Sequence, residues 1–524
     1  MPSKLRFTLI FLICCTAIQL NAQSQLFFQV SGNDYASHTL PTMDGGLLIC
    51  GSNVDSLTND VNPLIVKLDS VGNIVWSNLI TAPSSEAINY ALQYDDSSYL
   101  IVGLSNANSQ IDYDAMAMRV NVDGSIRWIK NYATPDFENA GYACFDADQN
   151  AYVVGNVSQQ AYILKIDTAG NILHSVILGN GLTSTFASVA YDNSAQTVVA
   201  VGRSANVGAA QCEMLIVRFD TALNIQRATA VADTNWLEGD CIRILNFGNY
   251  LISGATTISG FGDFDCIAIE MDTSGQIIWN TCIGGISGEA FYSIQVESDG
   301  FTFSGYTDSF GEGGLNDNSN TILCKLDLNG DTVWNKLFTG ALNDEALRHE
   351  KYKGGYIIGA YGSMYNSNSL DFLTIKTDAN GDNECESVKF YPDLIQLNNL
   401  TSTQYVYAIF SQSFAVSSLL FNVSPIAINS SSACFPLGLP QDQLMVHDLI
   451  VYPNPANHTI YFTQDTFNYE KVQLLAVDGK VIRESAGTQL GHSWNLSDIA
   501  SGIYVIKCTS SKISRYQQLI IQHQ

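Results

Sequence analysis

The sequence predicts an all-β fold: a seven-bladed β-propeller closed by an N-terminal strand, followed by a smaller β-rich C-terminal domain. One short phrase predicts the ring: a basic residue, an apolar residue, Asp or Asn, a tight turn and an outgoing strand. It recurs seven times between Asp69 and Gly381, at intervals of 46–55 residues, with Glu270 in place of the basic residue in the fifth copy. Each period holds about four short runs rich in β-branched and aromatic residues, the dimensions of a propeller blade. No stretch carries a helical period long enough for βαβ units.

Residues 1–22 are expected to be a signal peptide, with Lys4 and Arg6 preceding an apolar run from Phe7 to Ile18 and cleavage after Ala22. That run is short for a membrane span, and no later segment reaches ~18 consecutive apolar residues, so no transmembrane segment is expected in the mature chain.

Residues 23–390 form the expected propeller. The anchors are Asp69, Asn121, Asp167, Asp220, Asp272, Asp327 and Asp378. A Gly follows three residues later in every copy except at Leu223, and Trp76, Trp128, Trp279 and Trp334 begin the outgoing strands. Asp accepting hydrogen bonds from its own turn, with Gly in the left-handed region, is the chemistry of a tight hairpin. After the seventh anchor the sequence turns polar where an outer strand belongs. Gln25–Val30 has the missing strand's pattern and is expected to complete the seventh blade.

Residues 391–440 are a β-rich connecting segment outside the repeat, read either as strands packed on the ring or as a stalk. Cys385 and Cys434 bracket it, and a disulfide between them is allowed in an exported chain. The other cysteines show no Cys-x-x-Cys spacing, which argues for buried free thiols over a zinc site.

Residues 441–524 carry Tyr452-Pro453-Asn454-Pro455, Asp478-Gly479-Lys480 and Ser501-Gly502-Ile503-Tyr504. The prolines hold the first segment extended, Asp478-Gly479 supplies a hairpin turn, and the flanking alternation fits half-buried strands. In this combination the segment resembles the type A C-terminal sorting domain of the type IX secretion system of Bacteroidetes. The resemblance implies a small β-sandwich that engages the type IX secretion machinery and takes its cargo across the outer membrane, to be released or anchored at the surface. The family usually has a basic pair before its last apolar strand; here Gln517-Gln518 stand there.

The net charge of -26 disfavours nucleic acid as a partner, while 46% hydrophobic and only 14% charged residues exclude an acidic disordered chain. Two polar columns are candidate ligand-binding positions. One is an acid at the start of each innermost strand: Asp34, Glu86, Glu138, Glu238, Glu289 and Glu345, with Thr185 in the third copy's place. The other lies seven residues before each anchor: Asn62, Asp114, Gln160, Glu213, Asp265, Asn320 and Asp371. Both are expected to crowd one acidic mouth, able to capture a cation such as calcium, a basic ligand or a sugar. The competing reading is that they close turns and pair with the Lys and Arg column. Asp308, Glu312 and Asp317 in a Gly-rich loop are candidate calcium ligands, although their spacing matches no EF-hand.

No Gly-x-Ser-x-Gly, His-Glu-x-x-His, Walker or Gly-x-Gly-x-x-Gly motif occurs, so no catalytic residue is assigned. Two functions fit: a secreted or surface-displayed propeller that binds a glycan or an envelope protein, and a glycan hydrolase or lyase that uses channel carboxylates. Repeat symmetry makes carboxylate environments alike, which favours binding.

Overall fold

In the computed structural model the chain divides into two units, residues 1–435 and 436–524. The structure describes residues 24–29, 33–55, 57–81, 85–107, 112–179, 182–206, 211–232, 235–257, 262–310, 319–338, 345–362 and 371–383, together with the strands named below and short stretches beside them within 388–432 and 451–521. The expected signal cleavage at Ala22 lies outside the described residues, as do Glu312, Asp317, Cys385, Cys434, Pro453, Asn454, Pro455, Asp478 and Gly479.

The first unit is a β-propeller built from seven five-stranded antiparallel sheets. The first strands of sheets 1 to 7 are Asn33–Pro41, Glu86–Gln93, Glu138–Phe145, Leu182–Asp192, Leu237–Ile244, Glu289–Val296 and Glu345–Tyr352. Each touches the next, and that of sheet 7 returns to that of sheet 1, so the ring closes. Sheet 7 draws only three strands from its own stretch of sequence. Its fourth is Ser24–Gln29, paired antiparallel to Asp371–Lys376 with Ser24 opposite Lys376 and Phe28 opposite Phe372.

The anchor turn forms as its residues dictate. Asp69 Oδ1 accepts from the amides of Val71 and Asn73 at 2.9 and 2.8 Å, and Gly72 sits at φ +93°. At Asp272 the Ser274 hydroxyl, above all, holds the carboxyl below its ordinary range. The phrase also joins neighbouring sheets. A Cβ on Gly124 would lie 2.9 Å from the Trp76 ring, one on Gly170 3.0 Å from Trp128, and one on Gly381 2.8 Å from Trp334. The indole of one sheet therefore needs a glycine in the next turn. Sheet 3 carries His174 at the Trp position, and the next turn carries Leu223, 1% exposed, instead of Gly.

The fifth strand of every sheet, which the four-strand repeat does not foretell, comes from residues 388–432: six lie in the connecting segment and one, on sheet 6, just before its expected start. Val388–Lys389 joins sheet 6, Asp393–Ile395 sheet 5, Thr401–Tyr405 sheet 4, Ala408–Ile409 sheet 3, Ala415–Ser418 sheet 2, Asn422–Pro425 sheet 1 and Asn429–Ser432 sheet 7. The segment is a belt that runs round the ring against the order of the sheets. Its last strand pairs with Ser24–Gln29, so the N-terminal strand is held on both edges. Side chains pin the belt as well: Asn280 Nδ2 donates to the Leu397 carbonyl at 3.0 Å, and the Leu397 amide donates back to Asn280 Oδ1 at 2.7 Å. Covering each outer edge with strands of two to five residues leaves no long exposed edge to template aggregation.

The second unit has a three-stranded sheet (Val451–Tyr452, Thr459–Phe462, Ser493–Asn495) and a four-stranded one (Val481–Ala486, Lys471–Ala476, Gly502–Thr509, Ser514–Ile521). The two share one buried cluster, with Ile460 and Trp494 from the first meeting Val472, Leu474, Ile506 and Leu519 from the second. Gly502 pairs with Ile521, and Tyr504 Oη donates to the Ala500 carbonyl at 2.9 Å.

Candidate functional site

One irregularity decides which side chains reach the axis of the ring. The first strand of every sheet carries a β-bulge, at Ser37, Asn89, Gly141, Ala187, Asp240, Tyr292 and Leu347 in sheets 1 to 7. Counted from the bulge, the expected acid column separates into two sets. Asp34, Glu86, Glu138 and Glu289 lie three residues before it; Glu238 and Glu345 lie two before. One residue along a strand reverses the side chain to the other face.

The first set points into the sheets. Asp34, Glu86 and Glu138 are 0% exposed and Glu289 1%. Asp34 accepts from Asn53 at 2.8 Å and Glu86 from Ser105 at 3.3 Å. Glu138 accepts from the amide and hydroxyl of Thr134. Glu289 accepts from Thr307 at 2.7 Å and from the Gly285 amide at 2.9 Å. Burial raises the carboxyls of Glu138, to about 8, and Glu289. These four carboxyls tie the start of the first strand to the second strand and neighbouring loops.

Asp114, Asp265 and Asn320 of the second column stay within their sheets too. Asp114, 4% exposed, accepts from Asn131 at 3.0 Å, Asp265 is fully buried against Gly284, and Asn320 donates to the Phe310 carbonyl. Asp371 opens its strand, paired with Gly362. The basic column is engaged elsewhere in four of its copies. Lys67, Arg119, Lys165 and Lys325 instead meet Asp44, Asp96, Asp146 and Asp299, at 2.9–3.0 Å, in the hairpin between first and second strands. Asp308 accepts from Ser319 at 2.6 Å. Among the described residues no group of three or more His, Cys, Asp or Glu is disposed to hold a metal ion.

Glu238 and Glu345 face the other way, into a cluster that crosses sheets 4 to 7 and 1. Arg203 meets Glu238 at 2.6 Å, and the Trp236 indole donates to the same carboxylate at 3.0 Å. Tyr361 Oη donates to Glu345, and its ring meets Tyr35 edge-on at 5.5 Å. Tyr292, at the bulge of sheet 6, stacks on Tyr306 at 5.7 Å, and its phenol is raised chiefly by burial, with the neighbouring acidic groups adding to it. Tyr35, Tyr292, Tyr306, Tyr361, Glu238, Asp240 and Glu345 are all half-buried. Asp240 is pushed well above the carboxylate range by burial and by Glu238, and its Oδ2 has no hydrogen-bond partner among the described residues.

Deeper along the same faces, one and three residues past the bulges, side chains from non-adjacent sheets meet across the axis. Tyr90 and Tyr142 stack at 3.9 Å, His38 stacks on Tyr90 at 4.4 Å, and the Arg348 guanidinium lies 4.9 and 4.6 Å from the two tyrosine rings. Arg243 donates to Tyr142 Oη at 3.0 Å. His38 Nδ1 accepts from the Ala91 amide, which leaves the proton of the neutral ring on Nε2, facing Glu350 at 3.5 Å, too long for a good hydrogen bond. Only groups that line the axis can meet from sheets 2, 3, 5 and 7, so this layer is the floor beneath the tyrosine and carboxyl walls. Sequence reasoning named Glu238 and Glu345 of the upper layer but missed its tyrosines, Asp240 and the whole floor, because its columns were aligned on the turns and not on the bulges.

Residues 450–522 match the secretion system C-terminal sorting domain, so the chain carries a sorting tail for export to the cell surface or beyond. No curated protein matches the chain. Among solved structures, Saccharomyces cerevisiae Sqt1 is 9% identical, with 68% of this chain and 100% of that one covered and a TM-score of 0.40. A putative 6-phosphogluconolactonase from Bacteroides uniformis is 11% identical, covering 68% and 100%, with a TM-score of 0.39. The phage phi92 endosialidase is 10% identical, covering 95% and 87%, with a TM-score of 0.37. Among the described residues no helix is long and apolar enough to cross a membrane.

Proposed function

We propose that the chain is a seven-bladed propeller, exported by the type IX secretion system, that works at the cell surface or in the surroundings as a binding module. Its ligand enters along the axis and lies against sheets 5, 6, 7 and 1. The observation that carries this reading is the half-buried cluster of Tyr35, Tyr292, Tyr306 and Tyr361 around Glu238, Asp240 and Glu345. The repeat does not need it to fold, since the phase of Tyr35, Glu238 and Glu345 holds Ala87, Asn139 and Thr185 in sheets 2 to 4. Concave sites walled by aromatic rings with a few convergent polar groups are the usual form of a ligand pocket. The test is a binding screen of purified full-length chain against glycans and surface-protein extracts, with Tyr306→Ala in parallel. Loss of capture in the variant supports the axial site, and unchanged capture removes it.

A second reading, a glycan hydrolase or lyase, draws on Asp240. A carboxyl kept protonated beside a second carboxylate has the form of an acid poised to donate. Turnover on a glycan panel that disappears in Asp240→Asn would move the assignment to catalysis.

A further inference from the structure

We infer that the axial site takes the end of an uncharged sugar chain, an inference that rests on the binding reading above. The walls present two chemistries side by side. Tyr292 and Tyr306 offer a stacked pair of ring faces, and Tyr35 with Tyr361 a second pair on the neighbouring sheets. Between them stand three carboxyl groups: Glu238, fixed by Arg203 and Trp236, Glu345, fixed by Tyr361, and Asp240, at the bulge of sheet 5. A sugar ring needs both chemistries at once, because its C–H face lies on an aromatic ring while its hydroxyls donate to carboxylates. Glu238 and Glu345 accept from hydroxyls. Asp240, whose Oδ2 is buried with no partner among the described residues, supplies the converse: a neutral acid can donate to a ring or linking oxygen.

Charge narrows the ligand further. A cationic ligand would have to displace Arg203 from Glu238 and lie above Arg348, whose charge reaches Asp240 from the floor. A polyanion would meet Glu238 and Glu345 directly, in a chain of net charge -26. A neutral, hydroxyl-rich ligand meets neither repulsion.

The experiment uses the full chain and three probe classes at constant ionic strength: neutral oligosaccharides (β-glucan, mannan and N-acetylated chains), their carboxylated or sulfated counterparts, and polylysine. The expected result is capture of a neutral oligosaccharide, weakened at least about tenfold by Glu345→Gln and by Tyr306→Ala, with thermal melts confirming that both variants fold. Tyr361→Phe, which keeps the ring and removes the phenol that orients Glu345, serves if either variant fails to fold, and is expected to weaken capture in the same direction. Capture of only the charged sugars or polylysine, lost in the same variants, overturns the neutral-sugar assignment and leaves the axial site standing. No capture of any probe, or capture indifferent to every variant, overturns both.

Discussion

The indole of Trp76 lies against Gly124 of the next sheet, where a single added methyl group would sit 2.9 Å from its ring. Trp76 Nε1 also donates to the Val122 carbonyl of that turn at 2.8 Å. Tryptophan and glycine, which the sequence shows as members of one phrase, are thus the two halves of a joint between successive copies. Gly124→Ala is expected to destabilise the chain by about 1–3 kcal/mol in urea denaturation, through the clash and through a φ of +84° that a side chain resists. The converse change, Leu223→Gly, removes a buried side chain where no indole waits to fill the space; relief of its φ of +64° offsets part of that loss, and a net cost of about 1–4 kcal/mol is expected.

Deleting 24–30 is expected to lower the melting temperature sharply. It strips sheet 7 of its fourth strand and leaves Asn429–Ser432 without a partner. A chain ending at 435 keeps ring and belt and is expected to melt like the ring within the full chain, whereas one ending at 386 loses the fifth strand of all seven sheets and is expected to melt lower and aggregate. Calorimetry of the three chains checks this order.

Acid and base act on different buried groups. Burial pushes His349 down to about 3, while its two ring nitrogens face Thr302 and Ser304 at 3.0 and 2.9 Å. An unfolded histidine takes a proton near 6.5, so the stability this group contributes is present above that value and is lost as pH falls towards 3. A slope on the order of 1 kcal/mol per pH unit below 6 is expected from it, and His349→Gln should flatten that slope in chemical denaturation at pH 5 to 7.

Glu138 has the opposite sign. Its carboxyl, raised by burial to about 8 from an ordinary 4.5, contributes stability that is full below 4.5 and is lost as pH rises through 8. Glu138→Gln keeps an acceptor for Thr134 and is expected to gain roughly 1–3 kcal/mol over the parent at pH 8.5, with little difference at pH 4.5.

The belt begins on sheet 6 and ends on sheet 7, which are neighbours in the ring. Cys385 and Cys434, outside the described residues, flank those two ends in sequence. Peptide mapping of exported protein without reductant is expected to recover them as a linked pair, and free thiols at both would dismiss the link. Buried Cys50, Cys241, Cys266, Cys282 and Cys324 are expected to resist alkylation until the chain unfolds.

The ring was legible in the sequence because each turn needs chemistry that few residues supply: Asp69 with Gly72 and Asp272 with Gly275 announce themselves at any sequence separation. The axial site was not legible, because Glu238 and Glu289 look like the same position until the bulges at Asp240 and Tyr292 are counted, and only pairing with the second strand shows a bulge. The belt was hidden for another reason. Strands as short as Val388–Lys389 and Ala408–Ile409 carry no periodicity, and they exist only because seven finished edges stand ready to pair with them.

The reversed course of the belt also has a mechanical meaning. The tail leaves the ring from Asn429–Ser432, so tension on a chain held by its C-terminus reaches sheet 7 first, at the strand hydrogen-bonded to Ser24–Gln29. If that pair yields, the load passes to Asn422–Pro425 on sheet 1 and then to sheets 2, 3, 4, 5 and 6, one short strand at a time. Pulled from its tail, the protein is expected to give way in small serial steps, with seven separations preceding any full load on the four-stranded ring within.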